Sequence, residues 1–359
     1  MQDSRQWVSR VDARLDQFLA DHAPMLTQVS PDLAPFIEYS RTFLSGGKRF
    51  RARCALLGYA TVEPTVPDLA IDVACALEVF HAAALVHDDI MDNSDTRRGA
   101  PSVHRLFETL HTNSGWDGNG EQFGTSSALL LGDLLLAYSD ELFAAGVSAE
   151  PDAAKRSGSR AEFNRMRLDV TAGQYLDIAD EVAWPVIDKL DALSRAQRVV
   201  IYKSAKYSIE APLVIGAALA GASEAQLTTL RQIGLPLGIA FQLRDDILGV
   251  FGDPAVTGKP AGDDLREGKR TVLIALAQQE LPVSAITLMD ELLGDSDLTT
   301  EQITTLQETL KASGAVRSVE KMIDEQVALA HDVIESADLS DVARQALREL
   351  ADVVTRRSA

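Results

Sequence analysis

Residues 71–91 (IDVACALEVFHAAALVHDDIM) are Ala-rich and apolar on nearly every side until the chain reaches His87-Asp88-Asp89. A helix apolar all round does not lie on a surface; it belongs in the middle of a bundle. Residues 199–220 have the same character. Elsewhere Trp7, Val8, Val11, Leu15, Phe18 and Leu19, and again Leu129, Leu130, Leu134, Ala137 and Leu142, recur at helical spacing. Alternating runs bounded by turn residues are nearly absent. No period of 20–50 residues suggests a solenoid. The expected fold is therefore all-α: one large single-domain helical bundle over residues 1–359 with a central cavity. Residues 285–357, more polar but still helical, form its outer layer. Two polar, Gly-rich stretches, 111–124 and 253–268, read as loops, either lids or plain connections. Residues 150–158 read as a third connection.

Of the 359 residues 46% are apolar, enough for a sizeable core. Acidic residues outnumber basic ones 53 to 34, a formal charge of −19. That balance excludes general nucleic-acid binding, which needs clustered positive charge. It also looks wrong for a protein that handles phosphates, unless carboxylates hold metal ions and a few Lys and Arg act locally. Cys54 and Cys75 fit buried thiols in a reducing compartment and form no disulfide or zinc framework. The charged, amphipathic N-terminus lacks the order of a signal peptide. No stretch is expected to reach the roughly 20 apolar residues of a membrane span. The nearest, 211–222, is short and interrupted by Pro212 and Gly216. A cytoplasmic protein is expected.

The apolar helix ends in His87-Asp88-Asp89-Ile90-Met91-Asp92. Asp88 and Asp92, four apart, project from one face. Carboxylates that close repel unless a cation lies between them. Magnesium takes only one or two protein carboxylates and completes its shell with water and substrate phosphate, so this pair suits a metal bridging to a diphosphate. A solvated helix end is the alternative, although acidic groups at a helix C-terminus oppose the macrodipole. A second cluster, Gln242-Leu243-Arg244-Asp245-Asp246, ends another apolar helix, and Lys259, Asp264 and Lys269 follow. Two such clusters in one helical chain suggest two walls of one metal site. In Gly46-Gly47-Lys48-Arg49-Phe50-Arg51 the glycines admit an anion to the backbone, a helix start follows, and Lys48 and Arg51 share a face. Alone this is weak. So is Arg97-Arg98, which could grip diphosphate oxygens or be surface charge. His81 fits a satisfied core histidine as well as a ligand-binding one. Lys203, between apolar runs, needs a partner, and phosphate is a candidate.

Together these residues resemble the trans-type isoprenyl (polyprenyl) diphosphate synthases, over about residues 43–271 and in the family's motif order. The resemblance implies an isoprenoid-synthase type bundle. It also implies a three-magnesium cluster on Asp88, Asp92 and Asp245, supported by Asp89, Asp246 and Asp264. Lys48, Arg51, His81 and Arg98 would bind isopentenyl diphosphate. Arg97, Lys203 and Lys259, with Ser204, Gln242 and Lys269, would serve the allylic diphosphate. Gln174 and Asp177 match the family's polar pair. A homodimer is implied. Ala52 stands where the family has Pro, and Gly249 where the second motif often has a third Asp.

Ionisation of the allylic diphosphate, condensation and proton loss would follow, with metal and Arg97, Lys203 and Lys259 neutralising the leaving pyrophosphate. Small-product relatives carry aromatics four and five residues before the first Asp; here those positions are Ala84 and Ala83. Phe80 and His81 come next, one turn or about 5.4 Å deeper. The expected product is the twenty-carbon geranylgeranyl diphosphate. Farnesyl or longer-chain synthesis is the nearest alternative. A class I terpene cyclase fits less well, because it would not need residues 46–51 and its second motif usually mixes Asn, Ser and Glu. A non-catalytic regulatory subunit should have lost the metal clusters.

Overall fold

A computed structural model describes residues 4–253 and 262–355. They are almost wholly helical, with a single pair of two-residue strands among them. Contacts group the chain into two compact units, residues 1–161 with 212–223, and residues 162–211 with 224–359.

The first unit is organised by α4 (Asp68–Met91), whose buried residues run from Ala70 to Asp89. It packs along α6 (Gly120–Ala149), and Ser139 Oγ donates to Ala76 O at 2.8 Å. By length and composition α4 would suffice to cross a membrane, contrary to the expectation that no stretch would. Its apolar surface is instead spent on neighbours, including α1 (Ser4–Val29) and α3 (Phe50–Ala60). The small-residue run becomes α9 (Ala211–Ala220), buried from Pro212 to Ala220. It crosses α3 backbone to backbone. A Cβ on Gly216 would lie 1.8 Å from Ala55 O, and one on Gly58 1.9 Å from Leu213 O, so both must be glycine. α2 (Ala34–Leu44) and α5 (Val103–Asn113) complete the unit. The expected loop over 111–124 shrinks to residues 114–119, because α5 continues to Asn113 and Asn119 caps α6 by accepting from Gln122 N at 3.0 Å.

In the second unit, residues 199–220 do not form one helix. After α8 (Lys189–Val199) a π-helical segment covers Val200–Glu210. Such widened turns are rare and often mark functional positions. It is gripped by α7 (Ala153–Ala183) and α10 (Glu224–Phe251) at glycines. A Cβ on Gly173 would lie 2.2 Å from Lys203 N, and one on Gly238 2.4 Å from Ala205 O. Beyond α10 come α11 (Asp263–Glu267), α12 (Val272–Glu280), α13 (Val283–Leu292), α14 (Thr300–Ala312), α15 (Ala315–Ser336) and α16 (Asp341–Thr355). The C-terminal helices back α10 directly. Arg244 donates to both Glu320 oxygens at 2.5 and 2.6 Å, and Gln307 Nε2 to Val250 O at 2.6 Å.

Candidate active site

In the first unit Asp88 and Asp92 stand one turn apart where α4 ends, with Asp92 N donating to Asp88 O at 2.8 Å. Asp89 turns inward and is 1% exposed, so it does not share their open face. Its charge is met by Arg97, whose Nε donates to Asp89 Oδ1 at 2.8 Å and whose Nη2 donates to the same oxygen. Arg97 Nη2 also lies 3.6 Å from Asp88 Oδ2. A small hairpin delivers this arginine. β1 (Thr96–Arg97) pairs antiparallel with β2 (Ala100–Pro101), and Arg98 and Gly99 make the turn at φ 54° and 75°. Positive φ at both central residues matches the twist of a two-residue hairpin. It aims Arg97 at α4 and Arg98 at the glycine loop, where the Arg98 guanidinium lies 3.8 Å from the Cβ direction of Gly47.

That loop is set by two buried charges which the motif reading passed over. Arg49 is not a ligand-binding residue. It is buried at φ 48°, donating from Nε to Asp12 Oδ1 at 2.7 Å and from Nη2 to Leu44 O at 2.6 Å. Glu78 of α4 accepts from Ala52 N at 2.9 Å and stands 3.9 Å from Arg49 Nη1. The start of α3, expected to attract substrate anion, is thus already met by a protein carboxylate. A lone glutamate in an apolar helix was the available signal. Lys48 is exposed and Arg51 part-buried in the first turn of α3. His81 is held well below its ordinary pKa, by burial first and then by the charges of Arg51, Arg98 and Arg97. It is therefore neutral, in a setting shared by three of the expected anion-binding residues. Along α4, His81, Ala84 and Asp88 are part-exposed, while Ala83 is fully buried and Phe80 is 6% exposed. Ala84, not Ala83, lies on the open stripe leading down from Asp88.

In the second unit the end of α10 carries an exposed Asp245 and a buried Asp246. Gln242 Nε2 donates to Asp246 Oδ1 at 2.7 Å, and Oδ2 is buried without a hydrogen-bond partner among the described residues. Burial drives the Asp246 pKa well above the usual carboxylate range, and the charges of Asp264, Asp245 and Asp177 add to the rise. The π segment carries Lys203 and a half-buried Ser204. Lys203 Nζ is ion-paired with Asp177 of α7, and Lys269 Nζ lies 3.6 Å from the same carboxylate and 3.3 Å from Glu181. Lys203 and Lys269 thus share Asp177, so the partner that Lys203 needs is met here by a protein carboxylate. Lys259 falls outside the described residues.

A cation suits this chemistry. The donor set is all oxygen, and the second motif holds a buried, unpartnered carboxylate oxygen amid like charges. Among the described residues no three His, Cys, Asp or Glu side chains close on one point. Magnesium held by one or two carboxylates, water and substrate phosphate needs no such cage.

The polyprenyl synthetase family model matches residues 35–310. A short chain isoprenyl diphosphate synthase of Methanocaldococcus jannaschii is 31% identical over 80% of this chain and 79% of its own length. A geranylgeranyl diphosphate synthase of Mycobacterium tuberculosis is 32% identical over 82% and 78%. The crystal structure of a Corynebacterium glutamicum geranylgeranyl pyrophosphate synthase, complexed with isoprenyl diphosphate and magnesium, superposes at a TM-score of 0.93 with 37% identity, covering 99% of this chain and 100% of the other.

Proposed function

The chain belongs to the polyprenyl synthetase family, and on that premise we propose that its main product is the twenty-carbon geranylgeranyl diphosphate. It is a trans-prenyltransferase that condenses isopentenyl diphosphate with allylic diphosphates to a linear prenyl diphosphate, and it uses magnesium. The chain length is carried by one observation. On the open stripe of α4 the first residue below Asp88 is Ala84, and the large side chains next beneath it are the part-exposed His81 and, one turn below Ala84, Phe80 at 6% exposure.

Asp88, Asp92 and Asp245 would hold the metal, as three ions, with Asp89, Asp246 and Asp264 in support. Bound there, magnesium supplies Lewis-acid neutralisation of a leaving pyrophosphate. Lys48, Arg51 and Arg98 bind the diphosphate of isopentenyl diphosphate. Neutral His81 adds a hydrogen bond and no charge. Arg97, Lys203 and Lys269 offset charge on the allylic diphosphate as its carbon–oxygen bond breaks, with Lys259 as a further candidate. The double bond of isopentenyl diphosphate then attacks the allylic carbon, forming the new carbon–carbon bond. The proton lost from isopentenyl diphosphate passes to the departing pyrophosphate. Residues Ala82 to Val86 of α4, before Asp88, carry no nucleophile that would quench the cation.

The test is to incubate pure protein with magnesium, isopentenyl diphosphate and each of the five-, ten- and fifteen-carbon starters. Products are sized after dephosphorylation. A twenty-carbon alcohol is expected, and Phe80→Ala should lengthen it. A fifteen-carbon product, or Phe80→Ala products of unchanged length, overturns the chain-length reading. We also propose a homodimer. On α7, Leu168, Tyr175 and Val182 are 69%, 71% and 77% exposed at seven-residue spacing, a stripe that a second copy would cover. Light scattering after gel filtration should give twice the chain mass, and Leu168→Glu should lower it; a monomeric wild type contradicts the proposal.

A further inference from the structure

Each aspartate-rich helix end has an arginine beside its carboxylates, and the two arginines are used in opposite ways. At the end of α4, Arg97 comes back through the hairpin, donates to Asp89 and lies 3.6 Å from Asp88. At the end of α10, Arg244 directly precedes Asp245. Its guanidinium turns instead to α15, where Nη1 and Nη2 donate to the two oxygens of Glu320 at 2.5 and 2.6 Å. This fork is the strong, bidentate form of the arginine–carboxylate pair. Arg244 Nε is buried without a hydrogen-bond partner among the described residues, so the grip rests on the two Nη groups. The Arg244 side chain is 18% exposed and that of Glu320 40%, which makes the cation the inner member of the pair. A second contact holds the same helix end, Gln307 of α14 donating to Val250 O at 2.6 Å.

Adjacent helical residues point to different sides, so what Arg244 brings to Asp245 is charge rather than hydrogen-bond geometry. A positive charge in the same helical turn weakens the pull of the carboxylates on a cation whichever way it points, because the Coulomb interaction depends on distance. A carboxylate on both Nη groups cancels most of that charge and keeps the long side chain on the α15 side of α10. We propose that Glu320 is a positioning residue for the second aspartate motif: by fixing and neutralising Arg244 it leaves the carboxylates at the end of α10 their full attraction for a divalent cation. This rests on the reading of that motif as magnesium-binding. The end of α4 needs no such device, since its arginine is what neutralises Asp89. The C-terminal helices, which carry none of the proposed ligand-binding residues, thereby gain a part in the chemistry.

The pair can be broken from either side, and the charge left behind then differs. The experiment measures Mn²⁺ binding in the presence of inorganic pyrophosphate, by calorimetry, together with thermal unfolding. The full-length variants are Glu320→Gln, Arg244→Gln, the two combined, Gln307→Leu and Asp245→Asn. Glu320→Gln should weaken Mn²⁺ binding about tenfold, the low end of the scale for a residue that supports a metal ligand. Arg244→Gln breaks the same pair but should keep or raise the affinity. The combined variant should return to near the wild-type value. Gln307→Leu should lower the melting temperature and leave Mn²⁺ affinity unchanged. Unchanged binding in Glu320→Gln, with binding lost in Asp245→Asn, overturns the inference and leaves the motif reading standing. So does a combined variant that binds no better than Glu320→Gln, or an equal weakening by Arg244→Gln or Gln307→Leu, since Glu320 would then be a structural brace. Mn²⁺ binding that is absent in the wild type, or untouched by Asp245→Asn, removes the motif reading and the inference together.

Discussion

At the end of α4 the buried carboxylate, Asp89, lies under a guanidinium brought back by a six-residue hairpin. At the end of α10 the buried carboxylate, Asp246, has an amide on one oxygen and three further carboxylates in its field. Both helices end in adjacent aspartates, yet the first neutralises its inner charge within the protein and the second does not. A buried charge left without a partner is costly, and it is relieved by a proton or by a cation. The difference divides the labour. The α4 end is a finished surface that presents Asp88 and Asp92, whereas the α10 end is completed by what binds to it.

The largest expected effects treat the two ends alike. Asp88→Asn and Asp245→Asn should each lower kcat by about two to three orders of magnitude, the scale for removing one preorganised electrostatic group. Steady-state rates at saturating magnesium measure this, and a loss of less than tenfold at either position would break the comparison. The next prediction separates them by stability. Arg97→Met strands the Asp89 charge and should cost about 3 kcal/mol or more, whereas Gln242→Met removes one amide hydrogen bond and should cost about 1–2 kcal/mol. Urea unfolding without metal ranks the two; equal costs would mean that Arg97 is not what neutralises the first end.

pH sharpens the contrast further. The folded-state pKa of Asp246 is raised, so the folded protein holds this proton more tightly than the unfolded chain does. The resulting stability is present at low pH and is lost as pH rises through the raised value. Metal-free protein should therefore melt at a lower temperature as pH climbs above the ordinary carboxylate range. Asp246→Asn should flatten that part of the profile, and Asp89→Asn should not. A slope that survives Asp246→Asn contradicts the assignment. The smallest effect concerns His81. Its imidazole is neutral, so His81→Gln should raise KM for isopentenyl diphosphate only roughly five- to tenfold, the worth of a neutral hydrogen bond, and leave the pH profile between about 6 and 8 unchanged.

Much of the site was legible because its chemistry is local. The i, i+4 spacing of Asp88 and Asp92, the all-apolar helix before them and the paired arginines after them need no tertiary information. What could not be read depends on partners far along the chain. The π segment exists where Gly173 and Gly238 let α7 and α10 close on Lys203 and Ala205, and in sequence those glycines are unremarkable single residues. Arg49 carries no signal of its own within residues 46–51, and only its contacts with Asp12 and Leu44 make it an anchor. Ala83 and Ala84 are chemically identical, and helix rotation alone buries one and opens the other. The Gly- and Asn-rich composition of 111–124 overstated its loop, because Asn119 serves as a helix cap.

Hydrogen–deuterium exchange at neutral pH, with and without magnesium and inorganic pyrophosphate, puts the contrast to its most direct test. Peptides covering residues 242–251 and 263–268 should gain the larger protection, while those covering 86–97 change little. Protection confined to 86–97, with the α10 end unaffected, would contradict the account.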